Sequence, residues 1–236
     1  RDARRERTGE RREIELHDES PLIFVRSRTK IGASRNIMRN DTKIAPRGRG
    51  RPRKFDQEAA LRAALQRFRT LGYANTSLDE LAAATGVNRP SLYATFGDKK
   101  ALYLAGLART HAIVDSTFAA LHDVHYPPEK MLKALFLGAI EGFLTGEYGP
   151  SGCIAVNTAA AEAVADADIR AALAGFVQLQ DEWIEKLMEQ AGSADPRGDA
   201  QIASSVIHSL STRARAGTPR AELIAIAKKA TSLLLA

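Results

Sequence analysis

Arg89, Ser91, Tyr93 and Thr95 alternate with other residues between Asn88 and Gly97, setting a guanidinium, two hydroxyls and a phenol in one short stretch without a carboxylate. Such groups suit a surface of nucleobase edges and phosphates. Arg89 can give two parallel N–H donors to a guanine edge, Ser91 and Thr95 can reach bases or phosphates, and the Tyr93 phenol suits a phosphate. That chemistry needs a rigid support that turns these side chains one way. A helix from Asn88 to Phe96 provides it if Leu92 and Phe96 face inward with Leu81 and Val87, which leaves Arg89, Pro90, Ser91, Tyr93 and Thr95 on the outer side.

The neighbouring residues predict how that helix is held. Asp56 can cap a first helix carrying Leu61, Leu65 and Phe68, which Gly72 ends. Ser77 with Glu80 has capping-box spacing and opens a short helix through Leu78, Leu81 and Ala82 that stops at Gly86. Asn88 caps the next, Gly97 closes it, and Asp98 starts a longer helix to about His122. Three short helices with a Gly86-Val87 turn between the second and third make a helix-turn-helix unit, in which glycine allows the left-handed turn and Val87 plugs the angle.

Beyond Pro127 and Pro128 the periodicity predicts a helix with Leu132, Leu135, Phe136, Ile140 and Phe143 that stops near Gly146, and another beginning near Cys153. A longer one runs from about Asp166 to Ala191. After the polar stretch from Gly192 to Gly198 come two last helices at roughly 199–216 and 219–235, with Thr218 as N-cap and Pro219 as N1. No strand pattern competes, so the fold class is all-α: a three-helix helix-turn-helix head and a larger helical body, about nine helices in all.

The net charge of +6 is uneven, because residues 43–54 hold six basic side chains and no acidic one. A block of that kind seeks a polyanion and gives salt-dependent affinity. Within it the run Arg47-Gly48-Arg49-Gly50-Arg51-Pro52-Arg53 resembles an AT-hook core, in which Arg49, Arg51 and Arg53 would lie in a narrow minor groove. A solvated basic tail with nonspecific attraction is the other reading.

Residues 50–103, GRPRKFDQEAALRAALQRFRTLGYANTSLDELAAATGVNRPSLYATFGDKKALY, resemble the head of the TetR family almost throughout. The shared features are T-S before the second helix, G-V at the turn, S-L-Y-x-x-F-G in the recognition helix and K-x-x-L after it. The resemblance implies contacts to double-stranded DNA from Thr76 and Ser77, from Asn88 and the helix Arg89 to Thr95, and from Lys99 or Lys100 against phosphate. Ala94 stands where relatives often carry a larger residue. The resemblance further implies a homodimer, paired through the last two helices, and a small-molecule effector held in the body and relayed to the head through the fourth helix.

Two heads on successive half-sites require a dimer interface. Val206, Leu210, Leu223, Ile226, Ala227, Ala230, Leu233 and Leu234 cover more surface than one chain's core needs, and small Ala and Ser residues permit close packing. Phe118, Leu135, Phe136, Phe143, Ile154, Phe176 and Trp183 are the effector-lining or plain core residues of the body. Cys153, the single cysteine, stands at an expected helix start, where the dipole favours a thiolate; the alternative is a small buried hydrophobe. Histidines at 111, 122, 125 and 208 lack a convincing third metal ligand, and no cofactor motif is present.

One cysteine excludes an internal disulfide, and without a leader or a long apolar span a cytoplasmic location is expected. Residues 1–37 lack periodicity and read as disordered or as an addition, with Met38 a possible start. The expected division is therefore an extension at 1–46, a DNA-binding domain at 47–101 and an effector-binding and dimerisation domain at 102–236. The reading is a ligand-responsive repressor rather than an enzyme. An architectural A·T-rich DNA binder is the first alternative. The second, an enzyme with a DNA-binding head, has no nucleophile-base pair or phosphate loop behind it.

Overall fold

A computed structural model describes residues 55–123, 126–146 and 149–236, in which all regular structure is helical. The expectations for residues 1–46, for Arg49, Arg51 and Arg53, and for His125 lie outside the described residues. Helix α1 (Gln57–Leu71) starts at Asp56, whose carboxylate accepts from the Ala59 amide at 3.0 Å. α2 (Leu78–Thr85) opens with the complete Ser77–Glu80 capping box, and α3 (Arg89–Phe96) with the Asn88 side chain accepting from Ser91 at 2.9 Å. Each of these caps satisfies an amide that a helix start leaves open.

α4 (Lys99–Asp123) begins at Asp98, which accepts from Ala101 at 2.7 Å, and α5 (Pro128–Leu144) follows the expected Pro127-Pro128 start. The helix expected near Cys153 takes another form. Ala155–Ala159 is a π-helical turn that runs into the short α6 (Ala160–Glu162). Thr158 turns its hydroxyl back to the Ile154 carbonyl at 2.7 Å and meets Tyr103 on its other side, so side-chain partners from elsewhere hold the wider turn.

α7 (Ala167–Ala191) is capped by Asp166 and ends at Gly192. α8 (Pro196–Arg215) starts three residues earlier than expected, because Asp195 caps the Gly198 amide at 3.1 Å and Pro196 takes the N1 position. At α9 (Arg220–Leu234) the N-cap is Pro219 and not Thr218, and no side chain caps this start.

Two apolar cores organise the chain. One joins Ala60, Ala64 and Phe68 of α1 with Leu81, Val87 and Leu92, and continues through Leu102, Tyr103 and Leu107 of α4 into Ile154, Ala155, Ala159, Ile169 and Phe176. The other gathers Phe118 of α4, Phe136 and Ile140 of α5, Ile184 and Met188 of α7, Leu210 of α8 and Leu223 of α9. Complete burial of each large side chain stabilises by about 1.5–3 kcal/mol, and α4 contributes to both clusters. α3 is therefore fixed on a base that includes part of the body. No helix among the described residues is long and apolar enough to cross a membrane.

Candidate nucleic-acid interface

The turn between α2 and α3 has Gly86 at φ +67° and ψ +14°, with open space where a Cβ would stand. Glycine is needed there for the left-handed backbone and not for room. Val87 and Leu92 are buried against Leu81, while Phe96 is half-buried, with its ring centroid 6.4 Å from that of Phe55. α3 therefore turns inward the residues expected to do so. Arg89, Pro90, Tyr93 and Ala94 are exposed, Tyr93 at 44%, and Ser91 and Thr95 are half-buried beside them. Asn88 spends its side-chain oxygen on the cap.

Arg89 is ion-paired to Asp79 on α2, a partner the sequence reading missed. Both side chains are largely exposed, so the pair holds weakly and can open towards a better acceptor. The pair sets the guanidinium beside the first turn of α2.

The flanking positions divide sharply. Thr76 is fully buried and donates its hydroxyl to the Gly72 carbonyl at 2.6 Å, so its side chain is withdrawn from any external ligand. Ser77 is exposed; its oxygen accepts from the Glu80 amide, and its own amide and hydroxyl lie against the Glu80 carboxylate, whose pKa they lower. The two lysines also separate. Lys100 is clasped by Asp166 at 2.8 Å and Asp168 at 2.6 Å, both from the start of α7, and these carboxylates raise its pKa while Lys100 lowers that of Asp166. It faces the start of α7, where two carboxylates already hold the charge that a phosphate would otherwise meet. Lys99 donates to the Ala74 carbonyl at 3.3 Å and lies 4.5 Å from the Tyr73 ring centroid, on the head's own edge. Lys99 shares a shallow cleft with Arg89 and Tyr93 of α3 and with Leu78, the residue after Ser77.

In the body, the expected lining residues do not converge on one cavity. Phe118 and Trp183 are parallel to within 5°, with centroids 6.1 Å apart, beside an apolar cavity of about 20 Å³ also lined by His122, Met131 and Leu135. Phe136 and Phe143 are packed in the body core, and Phe176 in the core that supports the head. A groove of about 760 Å³ along α7 and α8 is open and lined by charged and polar groups including Arg170, Asp181, Glu185 and Arg197; none of the expected aromatics reaches it.

Cys153 is half-buried between the two cores. The amides of Val156 and Ala155 act to lower its thiol pKa, as a helix start should, but burial outweighs them and pushes the thiol up. Of the two readings of Cys153, burial favours the small buried hydrophobe over the reactive thiolate.

Among the residues expected at a dimer face, Leu210, Leu223 and Ala227 are buried in the chain's own core, where α5 covers them. Val206, Ile226, Ala230 and Leu234 are half-buried, and Leu233 is 65% exposed. Ile202 on α8, 56% exposed, extends this apolar surface and was missed. Its signal was available, four residues before Val206 on the same helix face.

Comparisons with known proteins agree on the family. The sequence profile described as "Bacterial regulatory proteins, tetR family" matches residues 60–105. The HTH-type transcriptional repressor ComR of Escherichia coli (strain K12) is 31% identical over 199 residues, covering 80% of this chain and 93% of ComR. BdcR, a repressor of the same organism, is 44% identical over 62 residues, covering 26% of this chain and 32% of BdcR. Among solved structures, the TetR family regulator CifR, as a cysteine mutant complexed with 26 bp double-strand operator DNA, superposes with a TM-score of 0.65 at 28% identity, covering 77% of this chain and 98% of CifR.

Proposed function

The chain belongs to the TetR family of bacterial regulatory proteins, and on that footing we propose that it is a repressor that holds a palindromic operator as a homodimer and leaves it when a small-molecule effector occupies the body. It is a ligand-responsive DNA-binding transcriptional regulator with an N-terminal helix-turn-helix and a helical C-terminal region. The observation that carries the reading is the outer side of α3: Arg89, Ser91 and Tyr93 are presented together on a helix capped at both ends and seated on a buried base.

In this reading residues 47–101 read DNA and residues 102–236 bind effector and dimerise, in the cytoplasm. Arg89, Ser91, Tyr93 and Thr95 enter the major groove, while Ser77 and Lys99 contact phosphate. Arg49, Arg51 and Arg53 follow the adjacent minor groove. The α8–α9 surface of Ile202, Val206, Ile226, Ala230, Leu233 and Leu234 pairs with its twin. A pocket for a typical small ligand needs about 300 Å³ or more. The cavity beside Phe118 and Trp183 holds about 20 Å³, so an effector entering there must part α4, α5 and α7. A state that binds effector better than the DNA-competent state is what releases DNA.

Selection of bound duplexes from random DNA, followed by footprinting of the winner, tests the reading. Two inverted half-sites protected as one discrete footprint are expected. Diffuse A·T-rich protection would instead support an architectural binder, and no preference over scrambled competitor would end the proposal.

A further inference from the structure

Two arginines cross between the first helix and the body in opposite directions. Arg69, in the last turn of α1, donates through Nη2 to the carbonyls of Gly152 at 2.7 Å, Gly142 at 3.1 Å and Thr145 at 3.5 Å, and through Nε to Gly152 at 3.2 Å. Gly142 and Thr145 lie at the carbonyl end of α5, which has no partners within its own helix and carries the negative end of the dipole. Arg215, the last residue of α8, returns the contact. Its Nη1 donates to the Arg69 carbonyl at 2.7 Å and the Ser151 carbonyl at 3.2 Å, and its Nη2 to the Thr70 carbonyl at 3.4 Å. Each arginine therefore closes the end of a helix other than its own.

Only a guanidinium gives this arrangement, since its planar fork can serve several carbonyls at once and stays charged when half-buried. The segment between the two arginines is pinned as well. Ser211, one turn before Arg215, accepts from the Cys153 amide at 2.8 Å and from the Asn157 amide group at 3.0 Å. Gly152 has φ +66°, and a Cβ there would collide with the Asn157 side chain and stand 3.0 Å from the Ser211 carbonyl. The end of α8 thus grips Cys153 and Asn157 through Ser211, and Ser151 and α1 through Arg215. It touches the head without passing through α4.

We propose that Arg215 is a positioning residue for operator binding: with Arg69 it fixes the angle between α1 and α8, and so the distance between the two recognition helices of the dimer. This rests on the reading that two heads engage two half-sites. α8 supplies part of the proposed dimer surface, so its end joins that surface directly to a head through Arg215. A head free to tilt on α4 would accept several half-site separations, and a head held by the clasp accepts one.

The test uses the full chain, with R215A and R215K, against duplexes in which the selected half-site is repeated in inverted pairs whose spacers differ by single base pairs. The wild type is expected to favour one spacer by about tenfold or more over its neighbours. R215A is expected to lower that preference to about threefold or less while still binding a single half-site, and R215K, a point donor without the fork, to fall between them. A spacer profile for R215A that superposes on the wild type, even with a lowered melting temperature, overturns the positioning role. Should R215A fail to fold, R215K decides by the same profile. A wild-type chain that selects no duplex overturns the DNA reading, and the positioning role with it.

Discussion

The hydroxyls of Tyr103 on α4 and Thr158 in the π-helical turn lie 2.6 Å apart, both side chains buried. Thr158 gives its own proton to the Ile154 carbonyl, so Tyr103 is the donor of this bond. Burial pushes the Tyr103 phenol up to about 12, which keeps that proton in place across the physiological range. Tyr103→Phe keeps the ring on Phe68 and loses only the bond. A loss of about 1–2 kcal/mol is expected, seen as a melting temperature lower by about 2–6 °C. An unchanged thermal transition would show that the bond contributes nothing.

Arg89→Ala should separate recognition from stability. Its pairing with Asp79 is exposed, so the melting temperature should stay within about 1 °C of wild type. Binding to the selected operator should weaken by about 1–3 kcal/mol, with discrimination lost at one base pair and kept elsewhere. Competition binding against single-base operator variants reads both effects; uniform weakening at every position would reassign Arg89 to phosphate.

The two adjacent lysines should behave differently. Lys99→Ala is expected to weaken binding to all duplexes alike and to lower the slope of log affinity against log salt by about 1. Lys100→Ala should leave that slope unchanged, because Asp166 and Asp168 already hold its charge. Titrations at several salt concentrations check this. Equal slopes for the two variants would contradict the division of roles.

Cys153 gives a pH prediction. Burial raises its thiol pKa in the folded state, so folding disfavours the thiolate. The stability this group contributes is present below the ordinary thiol pKa and is lost as pH rises through the raised folded value. Wild type should therefore lose stability relative to Cys153→Ala above about pH 8.5. Alkylation of the folded chain at pH 7.4 should run at least about tenfold slower than for the denatured chain. Fast alkylation of the folded protein would restore the reactive-thiolate reading.

The head could be read from sequence because its signals are local. Asp56, Ser77 with Glu80, and Asn88 each cap the amide three residues ahead, and Gly72, Gly86 and Gly97 all adopt positive φ where a helix ends. Thr76 and Lys100 were inferred as contacts by family position, and both depend on partners that position does not reveal. Thr76 binds back four residues to Gly72, whereas Lys100 meets carboxylates more than sixty residues further along the chain. The apolar residues of the last two helices, read together as a dimer face, fall into a buried set and a more exposed one. α5 packs on α8 and α9 and takes Leu210, Leu223 and Ala227 into the chain's own interior. Periodicity marks which residues are apolar and leaves open which neighbour covers them. The π-helical turn and the Arg69–Arg215 clasp rest on contacts between residues 55 and 146 positions apart, for which no local spacing gives a sign.

Trp183 is the chain's only tryptophan, and it stands against Phe118 at the body core, with its indole N–H held by Asp115 at 2.8 Å. The tryptophan fluorescence of this protein therefore reports on the body alone. Emission that changes colour when duplex is added would be news from the reading end delivered to the other, an optical record of communication between the two that needs no dye.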